Sequence, residues 1–423
     1  MKAVILAAGE GVRMRPLTST RPKHMIFLSG KPILEHLLLS LKESGIKDML
    51  IIVGYENEKI KQYFRNGSKL EIKLSYAVQK EALGTADAIQ LAEDYVKKEP
   101  FLATYGDLLI TPKAVKTILR NQKSKATTNV GIVPVDQPEN YGIVKLNGNR
   151  ILEIIEKPSS AKAPSKLANA GIYIFTSKIF DQIKKTGESP RKELEITDSI
   201  RSLVEDKIPV FATKIDSREW MDIGRPWDLL EANKRILQRT KLKIEGKVED
   251  GAHLIGPVGL GAKARIRSGT YIEGPVFIDE ASDIGPNCFI RPYTSIGKKV
   301  RIGNGCEVKN SIIMDGTHIG HLSYIGDSII GARCNLGAGT ITANLRLDEK
   351  PVKVMIKDKL ADSGLRKLGV FVGDDVKTGI NVNLMPGIKI GQGSVIGPGV
   401  SVHRDVPPNM LLIQKQELEQ KPL

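Results

Sequence analysis

Between Val248 and Met314 an aliphatic side chain returns at every sixth position: Val248, Leu254, Leu260, Ile266, Ile272, Ile278, Ile284, Ile290, Ile296, Ile302, Val308 and Met314. Four residues after each stands a mostly small or β-branched one, as at Ala252, Val258, Thr270, Cys288 and Cys306. A helix buries every third or fourth residue and a half-buried strand every second, so a spacing of six fits neither. It fits a hexapeptide-repeat β-helix, in which each repeat is one short strand and a corner, and stacked coils bury a continuous column. Burying one such side chain stabilises by roughly 1.5–3 kcal/mol, so the column outweighs local helix preference. It is expected to continue through Ile319 and Ile325, then to lose one residue before Ile330 and Leu336. After an excursion from about 344 to 369 it resumes at Val372, Thr378, Leu384, Ile390, Ile396 and Val402. Cys288, Cys306 and Cys334 fall in the small inward slot and read as buried packing. Val406-Pro407-Pro408 is expected to stop the strands.

A chain of 423 residues is too long for one ordinary core, so two domains are expected. In the first half, apolar runs at Lys2–Ala8, Met49–Val53, Leu74–Ala77, Phe101–Ala103, Val130–Val133 and Gly171–Phe175 alternate with helical stretches such as Ile33–Glu43 and Thr85–Val96. Such alternation implies an α/β sheet of mainly parallel strands, with ligands outside their carboxyl ends. A further helix from Pro226 to Thr240 has an apolar stripe at Leu229, Leu230, Ala232, Asn233, Ile236 and Leu237 and is expected to lean on the first domain. The domain plan is therefore 1–228, a linker helix in 229–247, a β-helix over 248–407 and a polar tail over 408–423.

With 41% hydrophobic and 26% charged residues, the composition is that of a soluble globular protein. The chain has no apolar run long enough to span a bilayer and no signal-peptide core, so a cytoplasmic enzyme is expected, with no membrane partner. The net charge of +15 is dispersed and lacks interleaved aromatics, which disfavours nucleic acid. Phosphorylated small molecules explain it as well.

The first strand runs into Gly9-Glu10-Gly11-Val12-Arg13-Met14, a loop placed to wrap phosphates with backbone N–H groups. It is neither a Walker sequence nor a dinucleotide fingerprint. Arg13 and Lys23 add two cations nearby. Gln79 precedes Leu83-Gly84-Thr85, where an amide and backbone groups could read a base edge. Asp107, after the strand ending at Tyr105, could hold Mg²⁺, with Asp222 as second carboxylate.

The ordered motifs LAAGEGVRM, RPK, QKEALGTADA, YGD, ENYGIV, IEKP, NAGIYIF and WMDIGRP make residues 1 to about 228 resemble a sugar-1-phosphate nucleotidylyltransferase. The resemblance implies a Rossmann-like domain in which Gly9, Gly11 and Arg13 cradle a nucleoside triphosphate while Gln79, Gly84 and Thr85 contact the base. Gly142, Glu156, Lys157 and Asn169 would hold the sugar phosphate, Asp107 and Asp222 the Mg²⁺. Arg13, Lys23 and Lys157 would neutralise transition-state charge. Where the family often has Pro-Leu-Leu-Pro after RPK, this chain has His24-Met25-Ile26-Phe27, and His24 reads as structural.

Residues 248 to about 406 resemble the left-handed β-helix of acyltransferases. The stretch EVKNS…HLSYIGD…NLGAGTITAN is similar to the acetyltransferase half of bifunctional N-acetylglucosamine-1-phosphate uridyltransferase/glucosamine-1-phosphate acetyltransferases, closest to their archaeal form. That resemblance makes His321 the base that deprotonates a substrate amine attacking acetyl-CoA. Arg291, Lys309, Tyr324 and Asn335 would hold the sugar phosphate, with Asn344, Lys350 and Lys353 lining the site from the excursion. It also implies a homotrimer or dimer of trimers. Bacterial members usually have Asn-Tyr-Asp where this chain has Asn344-Leu345-Arg346. Two other readings stand beside the bifunctional enzyme: a monofunctional nucleotidylyltransferase, such as a mannose-1-phosphate guanylyltransferase, with a structural hexapeptide domain, and a non-catalytic regulatory scaffold.

Overall fold

Alternating helices and strands at the N-terminus, then short strands alone, divide the computed structural model, which describes residues 1–122, 124 and 127–422. By contacts the chain forms two compact units. One contains Met1–Glu10, Pro22–Met25 and Pro32–Ile223, the other Gly11–Arg21, Ile26–Lys31 and Gly224–Leu423. The glycine loop from Gly11 onward thus groups with the second unit.

The first unit is built on β1 (Lys2–Ala7), β2 (Asp48–Val53), β3 (Lys73–Val78), β4 (Phe101–Tyr105), β5 (Leu108–Ile110), β6 (Thr128–Pro134), β7 (Gly142–Asn147), β8 (Arg150–Glu156), β9 (Leu167–Phe175), β10 (Val210–Lys214) and β11 (Trp220–Asp222). Nine strands form one sheet in the order β3-β2-β1-β4-β9-β6-β10-β8-β7, and β5 pairs separately with β11. The sheet is less parallel than expected. Strands β3, β2, β1 and β4 run parallel, but β9 is antiparallel to both β4 and β6, and β8 to both β10 and β7. The hairpin joining β7 and β8 needs only Gly148 and Asn149 between strands, which an antiparallel pair allows and a parallel crossover forbids.

Helix α1 (Ile33–Glu43) follows Pro32 and buries Ile33, Leu34, Leu37, Leu38 and Leu41, one stripe at helical spacing. Gly45, at φ 91° just past its end, takes the left-handed turn that a side chain resists. The single helix expected over Thr85–Val96 is two, α2 (Thr85–Gln90) and α3 (Glu93–Val96). No helix among the described residues is long and apolar enough to cross a membrane.

In the second unit the solenoid strands form three parallel sheets, the faces of a prism. The first face starts at Lys247–Val248, the second at His253–Ile255 and the third at Val258–Leu260. On the third face the inward aliphatics stack coil on coil: Leu260 beside Ile278, and Ile278 beside Ile296. The next partner of Ile296 is Ile313, not Met314. The coil therefore drops a residue earlier than expected, at the Asn310–Ser311 corner, and a second before Ile330, which follows Ile313 in the same column. Ile313 enters the core, while the Met314 sulfur accepts a hydrogen bond from Arg21 Nη1 at 3.1 Å. Val248, in the terminal coil, is 36% exposed because no coil precedes it. The three cysteines are buried and free; burial pushes the thiols of Cys288 and Cys334 up to about 12, so they are inert packing.

Pro407 and Pro408 do not end the stack. They sit at a corner, and Leu411–Leu412 still pairs with Val395–Ile396. The excursion projects as a hairpin of Lys353–Ile356 with Lys359–Asp362. Helix α4 (Asp228–Arg239) buries the stripe read from sequence, but its Asn233 Nδ2 donates to the carbonyl of Tyr293 at 2.8 Å and its Oδ1 accepts from Ser295 at 2.6 Å. It packs with the solenoid.

Candidate active sites

In the first unit, chemistry gathers at the carboxyl ends of β1, β3 and β4. Gly9 follows β1 and has open space around it, so nothing blocks close approach of a ligand to its backbone. Asp107 follows β4 and is buried, 8% exposed. Its carboxylate pairs with the Lys23 ammonium. Burial works against the charge, yet Lys23 holds the carboxyl below its ordinary value. Asp222 ends β11 opposite Leu108, and the Ile223 N–H donates to the Asp107 carbonyl at 3.2 Å. The β5–β11 pairing thus sets both carboxylate-bearing residues side by side. His24 is buried and its imidazole is held neutral, pushed down to about 3 by burial and by Lys23, which matches a structural role.

Gln79 follows β3. Its amide NH₂ donates to the Gly84 carbonyl at 3.0 Å and to Asp87 at 2.7 Å. Gly84 has φ 122°, and a Cβ there would meet the Leu194 carbonyl at 2.5 Å, so no other residue fits. The Thr85 hydroxyl accepts from the Ile196 N–H at 3.0 Å. Gly84 and Thr85 are thus set against the 194–196 segment, and Gln79 joins them through its bond to the Gly84 carbonyl.

The third group is equally close. Gly142 and Glu156 lie directly opposite across β7 and β8, and a Cβ on Gly142 would come within 2.9 Å of Glu156 Oε2 and 3.7 Å of Asn169. Asn169 Nδ2 donates to Tyr173 Oη at 2.7 Å. Lys157 Nζ lies 3.6 Å from Glu156. Burial raises the Glu156 carboxyl despite Lys157 and Arg191. Arg191 and Thr197, which donate to Glu156 at 3.2 Å each, were missed because nothing in their spacing points to a strand 35 to 41 residues away. Gly11 (φ 71°) accepts from the Thr18 hydroxyl at 2.9 Å, and Arg13 is exposed; both belong to the second unit.

On the second face of the solenoid, outward side chains from successive coils meet. Arg291 Nη1 donates to Glu307 at 2.8 Å. Lys309 Nζ reaches both oxygens of Asp327, at 2.9 and 3.2 Å. Asn344 Nδ2 donates to Tyr324 Oη at 3.1 Å and also to Asp327. Burial, then the charges of Asp327 and Glu307, raise the Tyr324 phenol. His321 is exposed on the corner leading into this face, three residues before Tyr324, and its carbonyl accepts from the Ser323 hydroxyl at 2.8 Å. Asn335 stands apart. It lies on the first face, beside His318 and Lys377. Lys350 and Lys353 are exposed on the excursion, and no hydrogen bond or ion pair among the described residues joins their ammonium groups to the cluster. Asp327, which sequence reasoning passed over, is its centre.

Residues 2–239 match the nucleotidyl transferase family model, more than half of the chain. The chain belongs to that family. Residues 272–385 match a GMPPB C-terminal domain and 369–404 six bacterial transferase hexapeptide repeats. Over 419 residues it is 46% identical to the bifunctional protein GlmU of Methanocaldococcus jannaschii, covering 99% of this chain and 98% of that one. Over 411 residues it is 44% identical to the bifunctional sugar-1-phosphate nucleotidylyltransferase/acetyltransferase of Sulfurisphaera tokodaii, covering 96% and 98%. It is thus a member of the bifunctional branch, a nucleotidyltransferase unit followed by a left-handed β-helix. A crystal structure of UDP-glucose pyrophosphorylase complexed with UDP-glucose aligns with a TM-score of 0.52 at 27% identity, over 56% of this chain and 99% of that one.

Proposed function

We propose that this enzyme N-acetylates an amino-sugar 1-phosphate with acetyl-CoA and couples a sugar 1-phosphate to UTP or dTTP, giving UDP-N-acetylglucosamine or a related nucleotide sugar and pyrophosphate. The observation that carries the reading is that each unit gathers part of the expected set: Lys23 pairs with Asp107 next to Asp222 in the first, and Lys309, Tyr324 and Asn344 join one cluster a few residues from His321 in the second. The full-length likeness to bifunctional relatives supports it, and disfavours a monofunctional enzyme or a scaffold.

In nucleotidylyl transfer the sugar phosphate oxygen attacks the α-phosphorus in line and pyrophosphate leaves, so catalysis is positioning and charge neutralisation. Asp107 and Asp222 fit Mg²⁺, which takes one or two carboxylates and keeps several waters. Bound there, the ion would neutralise charge on the triphosphate. Gly9 and Gly11 would offer backbone N–H groups to the phosphates, and Arg13 and Lys23 their charges. Gln79, Gly84 and Thr85 would meet the base. Gly142, Glu156 and Asn169 would seat the sugar, with Lys157 on its phosphate.

In acetyl transfer His321 would take a proton as the acceptor amine attacks the thioester carbon. The C–N bond forms, the C–S bond breaks and the CoA sulfur leaves with the proton. Arg291, Lys309, Tyr324 and Asn344 would hold the acceptor phosphate, while Asn335, Lys350 and Lys353 would reach it from a neighbouring coil stack or from the excursion in a cytoplasmic trimer.

The test is one preparation assayed two ways. Pyrophosphate should appear from UTP or dTTP with a sugar 1-phosphate only when Mg²⁺ is supplied, and free thiol from acetyl-CoA with glucosamine or galactosamine 1-phosphate. Pyrophosphate without thiol would leave the second half structural.

A further inference from the structure

We infer that Asp327 is the positioning residue of the acceptor site, setting the amino-sugar phosphate clamp and tying the charged excursion to it. The inference rests on the acetyl-transfer reading above. Asp327 is 3% exposed, and a carboxylate buried so deeply needs partners for its charge. It has several. Lys309 Nζ bridges both oxygens at 2.9 and 3.2 Å, Asn310 Nδ2 donates at 2.8 Å and Asn344 Nδ2 completes the set. Asn344 is at the same time bonded to Tyr324 Oη at 3.1 Å. Two of the side chains proposed to grip the acceptor, Lys309 and Asn344, are therefore held directly by one buried residue, and a third, Tyr324, is held through Asn344.

The backbone of Asp327 does the same for the excursion. Its N–H donates to the Lys309 carbonyl at 2.9 Å, and its carbonyl accepts from the Gly369 N–H at 2.8 Å. The Leu368 N–H donates to the Asn344 carbonyl at 2.9 Å. The excursion thus leaves the stack at a residue gripped by the Asp327 carboxylate and returns at one gripped by its carbonyl. A lysine pinned on both carboxylate oxygens has lost its rotamer freedom before any phosphate arrives, which lowers the ordering cost of binding.

The experiment uses the full chain with Asp327→Ala, Asp327→Asn, Lys309→Ala and the Asp327→Ala/Lys309→Ala double variant, reading thiol and pyrophosphate from each sample. Asp327→Ala should raise the KM for the amino-sugar 1-phosphate about 10- to 100-fold, the scale of a lost charge-assisted hydrogen bond. The KM for acetyl-CoA should stay within about threefold and pyrophosphate release should match the unaltered enzyme. The double variant should be no worse than Lys309→Ala by more than about threefold, since groups acting as a unit are not additive. An unchanged acceptor KM, an equal rise for both substrates, or multiplying losses in the double variant would overturn the inference. If Asp327→Ala also loses pyrophosphate release, it has misfolded, and the isosteric Asp327→Asn decides by the same readouts. An unaltered enzyme that releases no thiol would sink the acetyl-transfer reading itself, a result distinct from an active enzyme indifferent to Asp327.

Discussion

The two units assemble their sites by different rules. In the first, partners come from far apart in the chain: Lys23 and Asp107 are 84 residues distant, and Thr197 and Glu156 are 41. In the second, they come from the next coil: Lys309 and Asp327 are 18 apart, Asn344 and Asp327 17, Arg291 and Glu307 16. A sheet whose strand order departs from chain order brings together what the sequence separates, whereas a solenoid repeats one short separation. The first site should therefore depend on the whole sheet, and the second on a few neighbouring coils.

Separate perturbation is the strongest way to break this contrast. Asp107→Ala should cost on the order of 10²–10³-fold or more in pyrophosphate release, with thiol release untouched; a parallel loss of both would mean that the units are not functionally independent. Chelation of divalent metal should have the same one-sided effect. His321→Ala should lower thiol release by about 10²- to 10⁴-fold and leave pyrophosphate release intact. Equal thiol release by that variant would remove the imidazole from the mechanism.

Stability offers finer tests. Ile302→Ala, in the inward column at 0% exposure, should destabilise by roughly 2–5 kcal/mol. Because each coil touches only its neighbours, faster hydrogen exchange should centre on the adjoining coils and spare the first unit. Uniform loss of protection would contradict nearest-neighbour stacking. The smallest effect is expected at Asp228, whose carboxyl burial raises to about 6 although it accepts from the Gly224 and Arg225 N–H groups at 3.0 and 2.7 Å. An acid with a folded-state pKa above its unfolded value of 3.8 binds its proton more tightly when folded. Its contribution therefore falls as pH rises from about 4 to 6 and is flat above. Asp228→Asn keeps the acceptor oxygen and should raise Tm by a few degrees at pH 7 while flattening the Tm–pH curve in that window.

Legibility followed the same contrast. The hexad spacing by itself announces the prism, its inward cysteines and most of its column. Its error was local: at Met314 the count of six continued, but the coil had shortened at Asn310, and Ile313 took the inward place. In the first unit the motifs carried Gln79, Gly84 and Thr85, and Gly142, Glu156 and Asn169, into groups that do meet in space. Arg191 and Thr197 gave no such signal.

Pattern alone determined that this chain has an α/β unit followed by a stack of coils, because periodicity in burial follows directly from the geometry of each element. Only the tertiary structure decided that Asn335 faces a different side of the prism from Tyr324, that the loop from Gly11 groups with the solenoid, and that Asp327 gathers Lys309, Asn310 and Asn344. Those outcomes depend on which corner drops a residue and which buried charge finds its partners. Both are settled by packing across coils and strands, and neither leaves a trace in local spacing.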